Sequence, residues 1–351
     1  MPITISIPDN LRQSVEAASG GRNTVIYDVK GYPSIMCVIP KFNLQDIDPS
    51  LGTGVHPAFL VNGVEKPEIF IGKFQSTVHD GVALSLPNQS PTVSINFNTA
   101  KSRATDKGTG WHLTNVFEWS AITMFCMKNN FQPRGNTQNG RSNEAQFETG
   151  RRIDNKPPGD SSGTPRTLVG SGPMSWYHNN TPFGIADLVG NVWEWTDLFK
   201  TNNGQILCPS DNHFTLPEEN WTARNIYFNS TAPDNTNSTT ENVGQPVIAN
   251  SVTNSVNEDT TSVAWKNMSV TATNSDLNLI KQLLIAPSLT SSGQLFENAK
   301  GTVSMRNSGE KMLLKGGSYQ DSTSAGLFAN SLLYTRTNIF ATVGFRVSYI
   351  S

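Results

Sequence analysis

Apolar positions in this 351-residue chain come in short runs, most of them alternating with polar ones. Residues 23–39, NTVIYDVKGYPSIMCVI, predict two strands around a KGYPS turn, and 66–76, KPEIFIGKFQS, predict another. From 82 to 98, short apolar pieces mix with Pro and Asn, the pattern of loop and edge strand. The helical period is clearest at 115–129, NVFEWSAITMFCMKN. Asn115 can cap that helix, with Glu118 at its third position as in a capping box. Val116, Trp119, Ile122, Met124, Phe125 and Cys126 form its apolar face. A second helix is predicted at 275–286, with Leu277, Ile280, Leu283 and Leu284 on one face and Pro287 ending it. Strands are expected at 311–318 and 343–350, the latter with Phe345, Val347 and Tyr349 opposite Arg346, Ser348 and Ile350.

The remaining stretches are irregular. Residues 131–182 are rich in Gly, Pro, Asn and Arg, and loops of that length are usually packed or functional. TPFGIADLVGNVWEWTD, 181–197, reads as a turn feeding a strand in which Trp193 and Trp195 alternate with Val192, Glu194 and Thr196. Trp193 and Phe345 are expected to be buried. Residues 201–275 turn polar and Asn/Thr-rich, which predicts loops and short edge strands without a second core. Many short strands, two helices and long loops give an α+β class, with helices against a small antiparallel sheet.

Composition narrows the function. Charged residues make up 15% and the formal net charge is -2, so no basic surface for nucleic acid is indicated. No apolar run is long enough to span a bilayer. MPITISIPDN has neither a basic n-region nor an apolar h-region, so synthesis in a reducing cytosol without a signal peptide is expected. Cys37, Cys126 and Cys208 are sparse and odd in number, which argues against a disulfide framework, and Cys126 reads as a small core residue. No CxxC or HExxH occurs, and His56, His79, His112, His178 and His213 form no catalytic spacing; they read as loop or surface residues. Asp187, Asn191 and Glu194 are oxygen donors of the type that hold Ca²⁺. The favoured alternative is that Asn191 organises the turn and Glu194 pairs with an arginine. No cofactor is expected.

The segment before the last strand stands apart. From Asp321 to Thr342 there is no Lys, Glu, Gln, Met or Trp, and Asp321 and Arg336 carry the only charges. Leu332, Leu333, Tyr334, Ile339 and Phe340 are scattered among Ser, Thr, Asn and Ala. One reading is a loop whose apolar residues reach the core. The other is a recognition surface of aromatic anchors among small polar residues, as in binding paratopes.

GWHLTNVFEWSAI at 110–122, QPRGN at 132–136, FGIADLVGNVWEWTD at 183–197, LLKGGSY at 313–319 and VGFRV at 343–347 carry a resemblance. In that order they resemble the formylglycine-generating-enzyme subclass of the C-type lectin fold. The resemblance implies one domain at 26–351, after an N-terminal extension at 1–25 and with a polar insertion at about 201–304. It implies a twisted antiparallel sheet, two flanking helices and long irregular loops. Enzymes of the subclass bind copper through a cysteine pair just after GGS. The pair would fall here at Asp321 and Gly326, and neither is Cys. Soft thiolates are what select Cu(I). Sulfoxide-synthase relatives use a nonheme iron held by histidines.

The chain's ending also resembles the variable proteins of diversity-generating retroelements, whose segment between GGS(W/Y) and GFR is rewritten through NNC codons. Such codons cannot encode Lys, Glu, Gln, Met or Trp, the types missing from 321–342; Gln320 departs from the rule. The resemblance implies a non-enzymatic protein that binds a protein or other surface ligand on a host or target cell. Its display on a virion or cell surface, and a possible homo-oligomer, go with it. GGS, Ala325-Gly326, Arg336 and Val343–Arg346 would be framework. The ligand-binding residues would be Tyr319, Asp321, Ser322, Ser324, Ala329, Ser331, Leu333, Tyr334, Asn338, Ile339, Phe340, Ala341 and Thr342. The alternative reading is a divergent formylglycine-generating or sulfoxide-synthase-like oxidoreductase.

Overall fold

Alternation becomes strand wherever it was read. In the computed structural model, which describes residues 9–231, 244–253, 255, 260–290 and 293–351, Asn23–Tyr27 and Pro33–Pro40 form a hairpin. The first eight residues and parts of the Asn/Thr-rich region 201–275, expected as loops and short edge strands, lie outside that description. The hairpin belongs to an antiparallel five-stranded sheet that continues with Glu68–Gly72, Val347–Tyr349 and Trp111–Leu113.

A ten-stranded sheet carries the rest. Its order is Thr261–Ala264, Thr302–Met305, Gly326–Tyr334, Glu310–Gly316, Trp193–Asn202, Gln205–Cys208, Thr222–Ser230, Pro246–Ala249 and Ser269–Val270. The short strand Val343–Phe345 lies parallel to Trp193–Trp195. The chain therefore changes sheets at Arg346. What reads in sequence as one strand, 343–350, is two, one in each sheet.

The helix Val116–Lys128 has the expected capping box: Asn115 Oδ1 accepts from Glu118 N, and Asn115 N donates to Glu118 Oε2. It is buried on nearly every side, Cys126 included, which is why its apolar face is so broad. The later helix is Asp276–Gln282. Three further α-helices were not expected, the one-turn Leu44–Ile47 and two longer ones. Asn10–Ser19 is a mostly polar helix capped by Asp9 and closed by Gly20; Tyr27 of the first strand donates its hydroxyl to Asp9 at 2.7 Å. Phe97–Thr105 buries only Phe97, Ala100 and Ala104, a stripe too small to stand out in sequence.

The polar insertion joins the main core. Its strands Gln205–Cys208, Thr222–Ser230 and Pro246–Ala249 lie inside the large sheet, not only at its edge. Cys208, Trp221, Ile226, Phe228, Ile248 and Trp265 pack in one cluster with Trp119 and Leu313. Of the two tryptophans in the WEW stretch, Trp195 is fully buried and Trp193 only half-buried, which corrects the expectation for Trp193; Phe345 is buried. Three histidines are also core residues rather than loop or surface. His56 and His178 each accept a backbone N–H at Nδ1, from Ala58 and Ile185, and His112 lies between Gly110 O and Glu118.

Candidate ligand-binding surface

The segment 319–342 begins at a constrained turn. Gly316 and Gly317 both have φ +93°, where side chains are disfavoured, and a Cβ on Gly316 would stand 2.7 Å from Leu188 O. Ser318 then closes a tight loop by donating N–H and O–H to Asp321 Oδ2 at 2.6 and 2.7 Å. The long irregular region holds this loop from outside. Tyr319 N donates to Asn191 O, Asn139 N to Tyr319 O, and Ser322 N to Thr137 O, at 3.1, 2.8 and 3.0 Å.

The middle of the segment is a strand, not a surface. Gly326–Tyr334 runs between Thr302–Met305 and Glu310–Gly316. Ala329 and Ser331 are consequently buried, 0% and 3% exposed, and do not belong to a ligand-contacting set in this conformation. Leu333 and Tyr334, at the strand's end, are half-buried.

The last third is a second loop, again tied down by its main chain. Asn338 Oδ1 accepts from Thr335 N and Oγ1. Ser94 N donates to Phe340 O, Arg166 Nη1 to Ala341 O, and Trp193 N to Thr342 O, all within 3.0 Å. Arg336 locks the loop's start with hydrogen bonds to Glu310 and Glu218, which hold its guanidinium further toward the charged form than an ordinary arginine. The Tyr334 and Phe340 rings lie tilted against each other, centroids 4.4 Å apart, and pack on a second core cluster that includes Phe97 and Trp195. Ile339 is 55% exposed.

The two loops share a pattern. Their backbones are bonded to residues outside the segment, while the side chains of Tyr319, Ser322, Ser324, Tyr334 and Thr342 hydrogen-bond no described residue. Tyr319, Asp321, Ser324, Asn338 and Thr342 are half-buried; Ser322, Ile339 and Ala341 are exposed. Of the residues that hold the loops, Asn191 lies in the GNVWEW motif, whereas Thr137, Asn139, Ser94 and Arg166 carry no pattern of their own in the sequence beyond the length of their loops.

The copper site of the enzyme subclass does not fit this chain. At position 326 even a Cβ would come within 2.1 Å of Lys300 O, so no cysteine side chain has room there. Asp321 is occupied with Ser318. Cys37, Cys126 and Cys208 are buried, and burial pushes their thiols up, Cys37 to about 12 and Cys208 to about 11. A thiol held protonated is a poor metal ligand. Among the described residues no three His, Cys, Asp or Glu side chains gather as a metal site.

The GNVWEW acids and amides are structural. Asn191 donates to Gln75 and Thr167 O and accepts from Thr167 N at 2.9 Å. Glu194 takes two hydrogen bonds from Arg346, at 3.0 and 2.7 Å, in a fully buried pair. Arg346 also donates to Gly72 O and Ala186 O, so one guanidinium joins both sheets. These are the partners expected for Asn191 and Glu194.

Residues 71–349 match the family model described as the sulfatase-modifying factor enzyme 1-like domain, FGE-sulfatase. Among solved structures the chain is similar to the Major Tropism Determinant U1 variant, at 12% identity and a TM-score of 0.32, over 90% of this chain and 63% of that one. It is similar also to Treponema denticola variable protein 1, at 11% identity and a TM-score of 0.31, over 93% and 98% of the two chains. The chain thus spans less than two thirds of the first of these structures. No curated protein matches its sequence.

Proposed function

The chain belongs to the sulfatase-modifying factor enzyme 1-like domain family, and from that premise we propose that it is a non-enzymatic, ligand-binding member whose recognition surface is the pair of loops at 319–324 and 333–342. One observation carries the reading: the loops' main chains are fixed by framework residues, while the side chains of Tyr319, Ser322, Ser324, Tyr334 and Thr342 hydrogen-bond no described residue. Such a surface can change residue by residue without changing its scaffold. A rigid scaffold also loses little ordering entropy when it binds. The absence of thiolates, and of room for one at 326, removes the seat of the family's copper chemistry.

In this reading the segment is diversified by a retroelement, the ligand is a protein or other molecule on a host or target cell, and the protein is displayed on a virion or cell surface. No described helix is long and apolar enough to cross a membrane. Sequencing this gene across its natural population tests the reading. Substitutions confined to about 319–342 and traceable to adenines in a nearby template copy are expected. A uniform segment would sink it and return attention to the oxidoreductase alternative.

A further inference from the structure

Arg166 stands between the two loops. Its Nη1 donates to Ala341 O at 2.9 Å in the second loop, at an exposed contact, and the Tyr319 phenol of the first loop is near enough to act on its charge. The backbone from Pro165 to Thr167 is held by three hydrogen bonds. Asn136 Nδ2 donates to Pro165 O at 3.0 Å, Ile153 N to Arg166 O at 2.9 Å, and Thr167 N to Asn191 Oδ1 at 2.9 Å.

Its electrostatic position is unlike that of the buried arginines among the described residues, although Arg141 and Arg306, half-buried as it is, also pair with no described carboxylate and bond instead to Gln138 and Thr260. Arg134, Arg152, Arg336 and Arg346 each pair with a carboxylate. Among the described residues Arg166 pairs with none, and its Nε is buried without an acceptor. Burial alone pulls its pKa below the ordinary arginine value. A partly desolvated guanidinium without a counter-charge is unfavourable in the free protein, and a docking carboxylate relieves it. Arginine's planar fork suits a carboxylate in particular. The two loops carry Tyr319, half-buried, and Ile339, exposed, which suit a protein surface better than a sugar.

We propose that Arg166 is a constant anchor of the recognition surface that binds an acidic side chain of a protein ligand. The inference rests on the surface reading above. Position 166 lies outside 319–342, so every variant of the segment would present the same cation beside the second loop, and diversification would alter what surrounds it.

The test is a titration of the full chain and of its Arg166 variants, followed at the backbone amide resonances of residues 319–342. The probes are N-acetyl-glutamate methylamide, its glutamine counterpart, glucuronate and inorganic phosphate. A saturable shift with the glutamate compound and none with the glutamine compound is expected. Arg166→Lys should weaken binding about fivefold or more, because an ammonium lacks the planar fork. Arg166→Gln should abolish it. A linear response, equal binding by Arg166→Gln, or tighter binding of glucuronate or phosphate would overturn the assignment. If Arg166→Gln does not fold, the Lys variant decides alone. The two readings fail separately. Glutamate binding with a segment uniform across the population would keep this anchor and lose the diversified surface. A variable segment without glutamate binding would do the reverse.

Discussion

Ile339 and Phe340 are neighbours with different duties. Ile339 is exposed, whereas Phe340 lies against Tyr334 and the core around Trp195. Ile339→Ala should change stability by less than about 0.5 kcal/mol while weakening ligand binding. Phe340→Ala should lower the urea midpoint as well, because it empties part of a packed cluster. Equal midpoints for the two variants would mean Phe340 is not packed as described. Lys315 makes a second case. It is fully buried, its Nζ donates to Asn330 Oδ1 at 2.6 Å, and burial lowers its pKa to about 7. Unfolded, a lysine titrates near 10.4. Between those values the unfolded chain binds a proton that the folded one lacks, so this group's contribution to stability rises with pH. Relative to Lys315→Met, the native protein should therefore gain stability from pH 7 to pH 9. Parallel midpoints across that range would show that Lys315 is solvated.

Elements were legible where one periodicity held throughout. The Asn115 cap and its run of apolar residues gave away the main helix, and the KGYPS turn the first hairpin. Phe97–Thr105 escaped because two of its three buried residues are alanines, which leave little apolar contrast. The sheet change at Arg346 escaped because strict alternation is the same whether a strand stays in one sheet or leaves it. The segment 319–342, proposed as the recognition surface, was half legible. Its composition marked it out, but only the partner strands reveal that Ala329 and Ser331 lie inside the sheet. The Trp-Glu-Trp strand offers a clean comparison. Trp195 is fully buried and donates Nε1–H to Ile95 O at 2.9 Å, so Trp195→Ala should cost about 3–5 kcal/mol, and Trp193→Ala distinctly less. Chemical denaturation of both variants checks the order.

For the whole molecule, the buried histidines set the response to acid. His56 and His178 are fully buried and accept backbone hydrogen bonds, and burial lowers each pKa to about 3. Unfolded histidine titrates near 6.5. Below that value the unfolded chain binds protons that the folded one refuses, so stability should fall as pH drops from about 6.5 toward 3. Asp187 acts in the opposite sense. Burial raises its pKa to about 6, so its contribution is present below its unfolded value near 3.9 and is lost as pH rises through 6. Two histidines against one aspartate predict net destabilisation by acid; a melting temperature that does not fall between pH 6.5 and 4.5 would contradict it.

The crossing at Arg346 has a consequence for how such a chain could evolve. The residues directly after the proposed recognition segment complete both sheets at once, beside Trp193–Trp195 and between Glu68–Gly72 and Trp111–Leu113. These are pairings between distant parts of the chain, the slow kind to form. A rewritten segment that strains its ends would keep the final strands from closing either sheet, and the molecule would not reach its native state. Folding itself would act as a proofreader, discarding unworkable sequences before any of them meets a ligand.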